Sequence, residues 1–298
     1  RRNPSARIRL YAVLGVGVPA ASYTEWVSEE SYKRYPGIEV CILELPGHAD
    51  NPPPAFYDAT KCAQEIASVI TRLQFKDQKM GDRKRPFALY GFSMGALLMW
   101  DAARQIHGQC DEGCKKLYVS SRGAPHLCSR GTEPQKEPPK RPDFSKQPID
   151  QVYSWCMGSL QVDDTQKQKY DRWFQLLMKR DEQKLRDFAE TMMCDQIMAG
   201  PGITESAGDA LPLKVECPIH FYYADADIVW PGQVGEGHSA SVYSDLPGSW
   251  ERYAPSSDKY GSTMFPGCSH GQMGAPDTPA FQHMMEDLSN LIATEALA

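Results

Sequence analysis

The sequence predicts an α/β fold: a mostly parallel central sheet flanked by helices on both sides. Two observations lead there. Short β-branched and aliphatic runs alternate with helix-like stretches along most of the 298 residues. Those runs are apolar throughout instead of alternating, which suits strands covered on both faces.

Taken in order, the strand candidates are "RIRLYAVL" (7–14), "IEVCILEL" (38–45), "FALYG" (87–91), "KLYVSS" (116–121), "PIHFYYA" (218–224) and "STMF" (262–265), each bounded by turn residues. Helices are predicted over Ser22–Tyr32, Tyr57–Leu73, Met94–Ile106 and Pro279–Ala296. In the last, Phe281, Met284, Met285, Leu288 and Leu291 recur at three- and four-residue steps and make one apolar face. The alternation breaks between residues 130 and 213. A Pro/Lys/Glu-rich stretch, "GTEPQKEPPKRPDFSKQP", reads as an exposed loop, and two or three helices follow. This insertion is expected to be a helical lid within a single domain spanning 1–298; a subdomain that only packs is the alternative.

Composition excludes several classes. The chain carries 23% charged and 41% hydrophobic residues, ordinary for a globular protein. A net charge of −6, with no Lys/Arg stripe, argues against a nucleic-acid surface. No apolar run approaches the length of a membrane span. Nine cysteines, an odd number scattered through apolar runs, read as free thiols in a reducing, cytoplasmic setting, with organelle import left open. The chain opens on Arg1-Arg2 without Met, which reads as a trimmed N-terminus. Cys110 and Cys114 have no nearby Cys/His set to complete a zinc site, so no metal is expected.

Chemistry concentrates around "PFALYGFSMGALLMWDAAR" (86–104), where Gly91-Phe92-Ser93-Met94-Gly95 spells G-x-S-x-G between a strand and a helix. A serine on such a turn is forced into a strained backbone, and glycines two residues to either side give the turn room. The turn lifts the hydroxyl above the sheet at a helix N-terminus, where the Met94 N–H points at a developing oxyanion. Serine needs a base, and the base an orienting carboxylate, arriving in the chain order Ser, acid, His. After the serine, His270 in "TMFPGCSHGQMG" follows a strand among small residues and is the favoured base. His238 in a polar loop and His283 on the last helix are the competitors. "PIHFYYADADIVWP" ends a strand in Asp225 and Asp227; the spacing of the turn favours Asp227 as the acid, with Asp225 as the alternative.

Together these segments resemble the type II (editing) thioesterases of polyketide and nonribosomal peptide assembly lines, a branch of the α/β-hydrolase fold. The resemblance rests on "GIEVCILELPGHADNPPPAFYD", on the serine segment, on "LYVSSRGAPHL", and on "CPIHFYYADADIVWP" and "FPGCSH". The chain departs from the family's pattern in three places. Phe92 replaces a usual His before the nucleophile, in a role expected to be packing. Gly15-Val16-Gly17-Val18 replaces His-Ala-Gly-Gly after the first strand. The stretch 230–261 between acid and base is longer than expected and reads as an extra flap.

The resemblance implies hydrolysis of an acyl or aminoacyl thioester on the phosphopantetheine of a carrier protein, with no cofactor, by a monomer. Ser93, Asp227 and His270 would form the triad, and the second oxyanion donor would be the Val16 N–H. Trp155, Trp173 and Phe174 are the substrate-binding candidates, beside Met157 and Met178, with packing inside the lid as the competing role. Two other readings stay open: an esterase or acyltransferase acting on oxygen esters, and a non-catalytic binding module.

Overall fold

The computed structural model describes residues 3, 5–18, 20–48, 58–79, 85–106, 113–128, 142–160, 164–199, 213–225, 247–274 and 278–295. Among these residues six strands form one sheet: β1 (Ile8–Val13), β2 (Ile38–Ile42), β3 (Phe87–Phe92), β4 (Cys114–Ser120), β5 (Ile219–Ala224) and β6 (Tyr260–Phe265). Their order is β2-β1-β3-β4-β5-β6 and every neighbouring pair is parallel. The order reverses direction at β1 and β3, so the C-terminal ends of these two strands border the crevice where open α/β sheets place their sites.

Both faces of β1 and β3 are dry, as the continuous apolar runs require, whereas the edge strand β6 is partly exposed along its length. Tyr11, Val13, Phe87, Leu89, Leu117, Val119, Ile219 and Phe221 point to one side. There they meet helices α2 (Ala59–Lys79) and α3 (Met94–Ile106). Ile8, Leu10, Ala12, Ile38, Val40, Ala88, Tyr90, Tyr118 and Tyr222 point to the other. Across them lie the 3₁₀ stretch Ala20–Val27 and the C-terminal helix Pro279–Glu295, whose Phe281 stacks on Trp26 at 4.2 Å. The charges inside the strands are paired. Arg9 lies opposite Glu39 in register and bonds it through Nη2 (2.6 Å) and Nε (2.8 Å), both residues buried. Arg85 adds a second cation at 3.2 Å. A buried carboxylate survives only with such partners.

The predicted helix over Ser22–Tyr32 is a 3₁₀ stretch with non-helical backbone at Tyr23, followed by α1 (Glu29–Arg34). Ser28 separates the two because its hydroxyl accepts from the Ser31 N–H and starts a new helix. Helix α2 runs on past Leu73 to Lys79. Among the described residues between β4 and β5 stand four helices: the short α4 (Pro125–Cys128), then α5 (Ile149–Ser159), α6 (Asp164–Arg180) and α7 (Glu182–Ala199). The last three build their own cluster around Phe144, Val152, Cys156, Phe174, Leu177, Leu185, Ala189 and Met193. Of the long stretch 230–261, the described part packs instead of projecting. Trp250 is fully buried and donates Nε1–H to the Arg122 carbonyl at 2.8 Å; the rest lies outside the described residues. Two helices follow β6: the four-residue α8 (His270–Met273) and the seventeen-residue α9 (Pro279–Glu295). Among the described residues no helix is long and apolar enough to cross a membrane, and no group of three His, Cys, Asp or Glu could hold a metal ion.

Candidate active site

Ser93 sits between β3 and α3 with φ +53, a left-handed conformation that costs an L-residue about 1–2 kcal/mol. The neighbouring glycines make this turn possible. A Cβ on Gly91 would collide with the Gly95 carbonyl, and one on Gly95 would collide with the Val13 carbonyl of the adjacent strand. Backbone bonds then hold the serine: its N–H donates to Ser120 O (2.9 Å) and its carbonyl accepts from Ala96 N–H (3.0 Å) as α3 begins. Ser93 is 5% exposed, and Met94 behind it is fully buried, with its N–H in the first turn of a thirteen-residue helix.

His270 arrives from the other side of the crevice. Its Nε2 lies 3.1 Å from Ser93 Oγ, within reach for proton transfer. The residue opens α8, where Ser269 and Gln272 form a capping box that fixes the first turn. The Phe92 ring packs on the imidazole, with centroids 4.9 Å apart. The same ring presses against two glycines: Cβ atoms on Gly274 and Gly15 would come within 2.5 and 3.1 Å of it. Thus Phe92 packs, as expected from the sequence. Its bulk and the missing side chain at 15 are two halves of one arrangement.

The other histidines with described surroundings are committed elsewhere. His283 meets the Tyr222 hydroxyl (3.1 Å), and His220 meets Thr263 Oγ1 (2.9 Å). Burial first, then the Lys116 charge, pushes the His220 imidazole down to about 4. His126 accepts or donates at Nδ1 with the Tyr253 hydroxyl (3.0 Å), which also receives its backbone N–H. His107 and His238 lie outside the described residues, as does Asp227. Asp225 accepts from the Gly267 N–H at 2.6 Å, tying the end of β5 to the turn that precedes His270. Gly267 has φ +72, a conformation that glycine adopts without strain.

Val16 lies in the loop that follows β1, half-buried, and Gly15 before it abuts the nucleophile: a Cβ there would be 3.2 Å from Ser93 Cβ. The aromatic candidates divide. Phe174 is fully buried in the cluster of α5–α7. Trp155 is half-buried against Phe144 (4.7 Å). Trp173 is 41% exposed and meets Phe188 edge-on at 5.1 Å. Phe188 in turn reaches Gly17, its Cζ 3.5 Å from where a Cβ would stand.

Sequence reasoning missed a second polar centre, against the loop that follows β1. His48, in the turn after β2, and Asp195, on α7, are both buried and lie 2.8 Å apart (Nε2 to Oδ2). The only sequence signal was a lone acid inside the apolar run "TMMCDQIM". Burial lowers the His48 affinity for a proton, but the hydrogen bond and charge of Asp195 outweigh it, so its pKa lies above the ordinary 6.5.

A strained serine at a helix N-terminus with an imidazole in reach is an arrangement that serine hydrolases use. Residues 10–150 match the thioesterase domain family. The thioesterase-domain match is accompanied by two curated relatives. One is the linear gramicidin dehydrogenase LgrE of Brevibacillus parabrevis, 30% identical over 133 residues, 44% of this chain and 45% of that protein. The other is the gramicidin S biosynthesis protein GrsT of Aneurinibacillus migulanus, 31% identical over 125 residues, 42% of this chain and 44% of that protein. The chain spans about half the length of the curated relatives it matches. Among solved structures, the RedJ thioesterase from the prodiginine biosynthetic pathway of Streptomyces coelicolor superposes with a TM-score of 0.57 at 16% identity, over 97% of this chain and 92% of that one. At that identity the likeness establishes the fold, which is the α/β-hydrolase fold.

Proposed function

We propose that this chain is a serine thioesterase that removes acyl or aminoacyl groups from the phosphopantetheine arm of a carrier protein, in an editing or release role. The observation that carries the reading is the 3.1 Å approach of His270 Nε2 to the hydroxyl of a serine held at φ +53. Ser93 Oγ attacks the thioester carbonyl as His270 takes its proton, and Asp227 holds the imidazole from the Nδ1 side. The Met94 and Val16 N–H groups receive the negative charge on the carbonyl oxygen. Collapse breaks the C–S bond, and the pantetheine thiolate leaves with the proton from His270. Water, deprotonated by His270, then hydrolyses the acyl-serine and restores the enzyme. No cofactor takes part.

We read the chain as one domain, 1–298, with the insertion 130–213 as a lid. Trp155 and Trp173 face the acyl group in this reading, and Phe174 stands behind them holding that wall in place. The enzyme acts as a monomer in the cytoplasm. The test is hydrolysis of short and medium acyl-pantetheine thioesters against matched oxygen esters by wild type and Ser93→Ala. Thioester turnover that vanishes in the variant supports the proposal. Turnover of oxygen esters alone moves the assignment to an esterase, and absence of both, with no acyl-serine formed, to a binding protein.

A further inference from the structure

Helix α7 presses one face onto the two loops that end β1 and β2. Phe188, Met192 and Asp195, four and three residues apart, line that face. The first two come within 3.5 and 3.8 Å of where a Gly17 Cβ would be. Thr191 donates its hydroxyl to the Gly47 carbonyl at 2.9 Å. Asp195 Oδ2 accepts the Gly17 N–H at 2.7 Å and faces His48 Nε2 at 2.8 Å. Its Oδ1 is buried with no hydrogen-bond partner among the described residues, so the hydrogen bonding of a fully buried carboxylate passes through one oxygen. Gly17, at φ +65, follows directly on Val16.

We propose that Asp195 is a positioning residue for the oxyanion hole: it holds the Gly17 amide and so orients the loop that presents the Val16 N–H, while His48 steadies Asp195 from the β2 side. This rests on the serine-hydrolase reading and adds a consequence. The insertion helix and the oxyanion loop are joined by a hydrogen bond, so the hole is complete only while α7 is seated. The contact is geometric in origin. Asn at 195, with its carbonyl oxygen in the place of Oδ2, can still accept from both Gly17 and His48. Leu fills the same space and accepts from neither.

The test compares Asp195→Leu, Asp195→Asn, His48→Leu and His48→Gln with wild type in the full chain. Two rates are read: thioester hydrolysis, and labelling of Ser93 by a fluorophosphonate, whose phosphoryl oxygen occupies the oxyanion hole whatever the natural substrate. Circular dichroism confirms folding. Asp195→Leu is expected to lose about 10²-fold in kcat and in labelling rate, the scale of one lost oxyanion donor, with KM within about twofold. Asp195→Asn is expected to recover most of the loss. His48→Leu is expected to fall between them and His48→Gln, which keeps an N–H donor, to match wild type. If the folded Leu variants label Ser93 as fast as wild type, or if Asn fails to rescue, the positioning role is overturned. Where Asp195→Leu does not fold, the His48 pair decides by the same criteria. A wild type that labels without hydrolysing thioesters overturns the substrate assignment and leaves the labelling rates to judge Asp195. A wild type that does not label overturns both.

Discussion

The strain at Ser93 can be measured by removing the hydroxyl in two ways. Ser93→Ala and Ser93→Gly both lose the contact with His270, so their difference isolates the backbone. At φ +53 the alanine variant keeps the left-handed penalty of about 1–2 kcal/mol, which glycine escapes. Glycine in turn loses about 0.5–1 kcal/mol more chain entropy on folding. The balance leaves Ser93→Gly about 0.5–1 kcal/mol more stable than Ser93→Ala, a gain of about 1–3 °C in Tm for a chain of this size. Urea denaturation with unchanged m values reads the difference directly. Equal stability, or a more stable alanine variant, would refute the argument that the turn stores strain. Both variants should lose at least about 10³-fold in turnover.

Other outcomes follow from the same geometry. Gly95→Ala places a methyl group inside the Val13 carbonyl and should destabilise by more than about 2 kcal/mol, read as a drop in the urea midpoint or a loss of soluble protein. Two histidines should give opposite pH signatures in stability. His48, whose folded pKa is raised by Asp195 with Glu44 also nearby, adds stability that is complete below about 6.5 and fades as pH rises through its folded value. His48→Gln should therefore flatten the alkaline side of that window. His220, held neutral down to about 4, costs stability as pH falls from 6.5 toward 4, because the unfolded chain takes up the proton first. His220→Asn should lessen acid sensitivity there, measured by denaturation at pH 4.5 and 7. Cys62 and Cys156, whose thiols burial pushes up to about 12, should resist alkylation by iodoacetamide in the native state and react in denaturant.

Much of the fold was legible because its inner strands are buried on both faces, so their apolar runs marked them. The strained turn at Ser93 was legible because it needs two glycines at fixed offsets; that His270 comes within 3.1 Å of it follows from the place of this histidine just after the last strand. Charge and 3₁₀ geometry hid the rest. The tail of α2, "QFKDQK", lacks an apolar period, and Ser28 cuts what looked like one helix. The His48–Asp195 pair joins residues 147 apart, and no local pattern announces such a contact. Phe188 was one apolar residue among many until its ring was seen over Gly17.

The crowding around the Phe92 ring also couples positions far apart in the chain. A Cβ on Gly274 would stand 2.5 Å from that ring, so a side chain there requires the ring to move, and one on Gly15 would stand 3.1 Å away, so the ring must give by a few tenths of an ångström. Positions 15, 92 and 274 therefore share one volume, and substitutions among them are expected to be non-additive in stability.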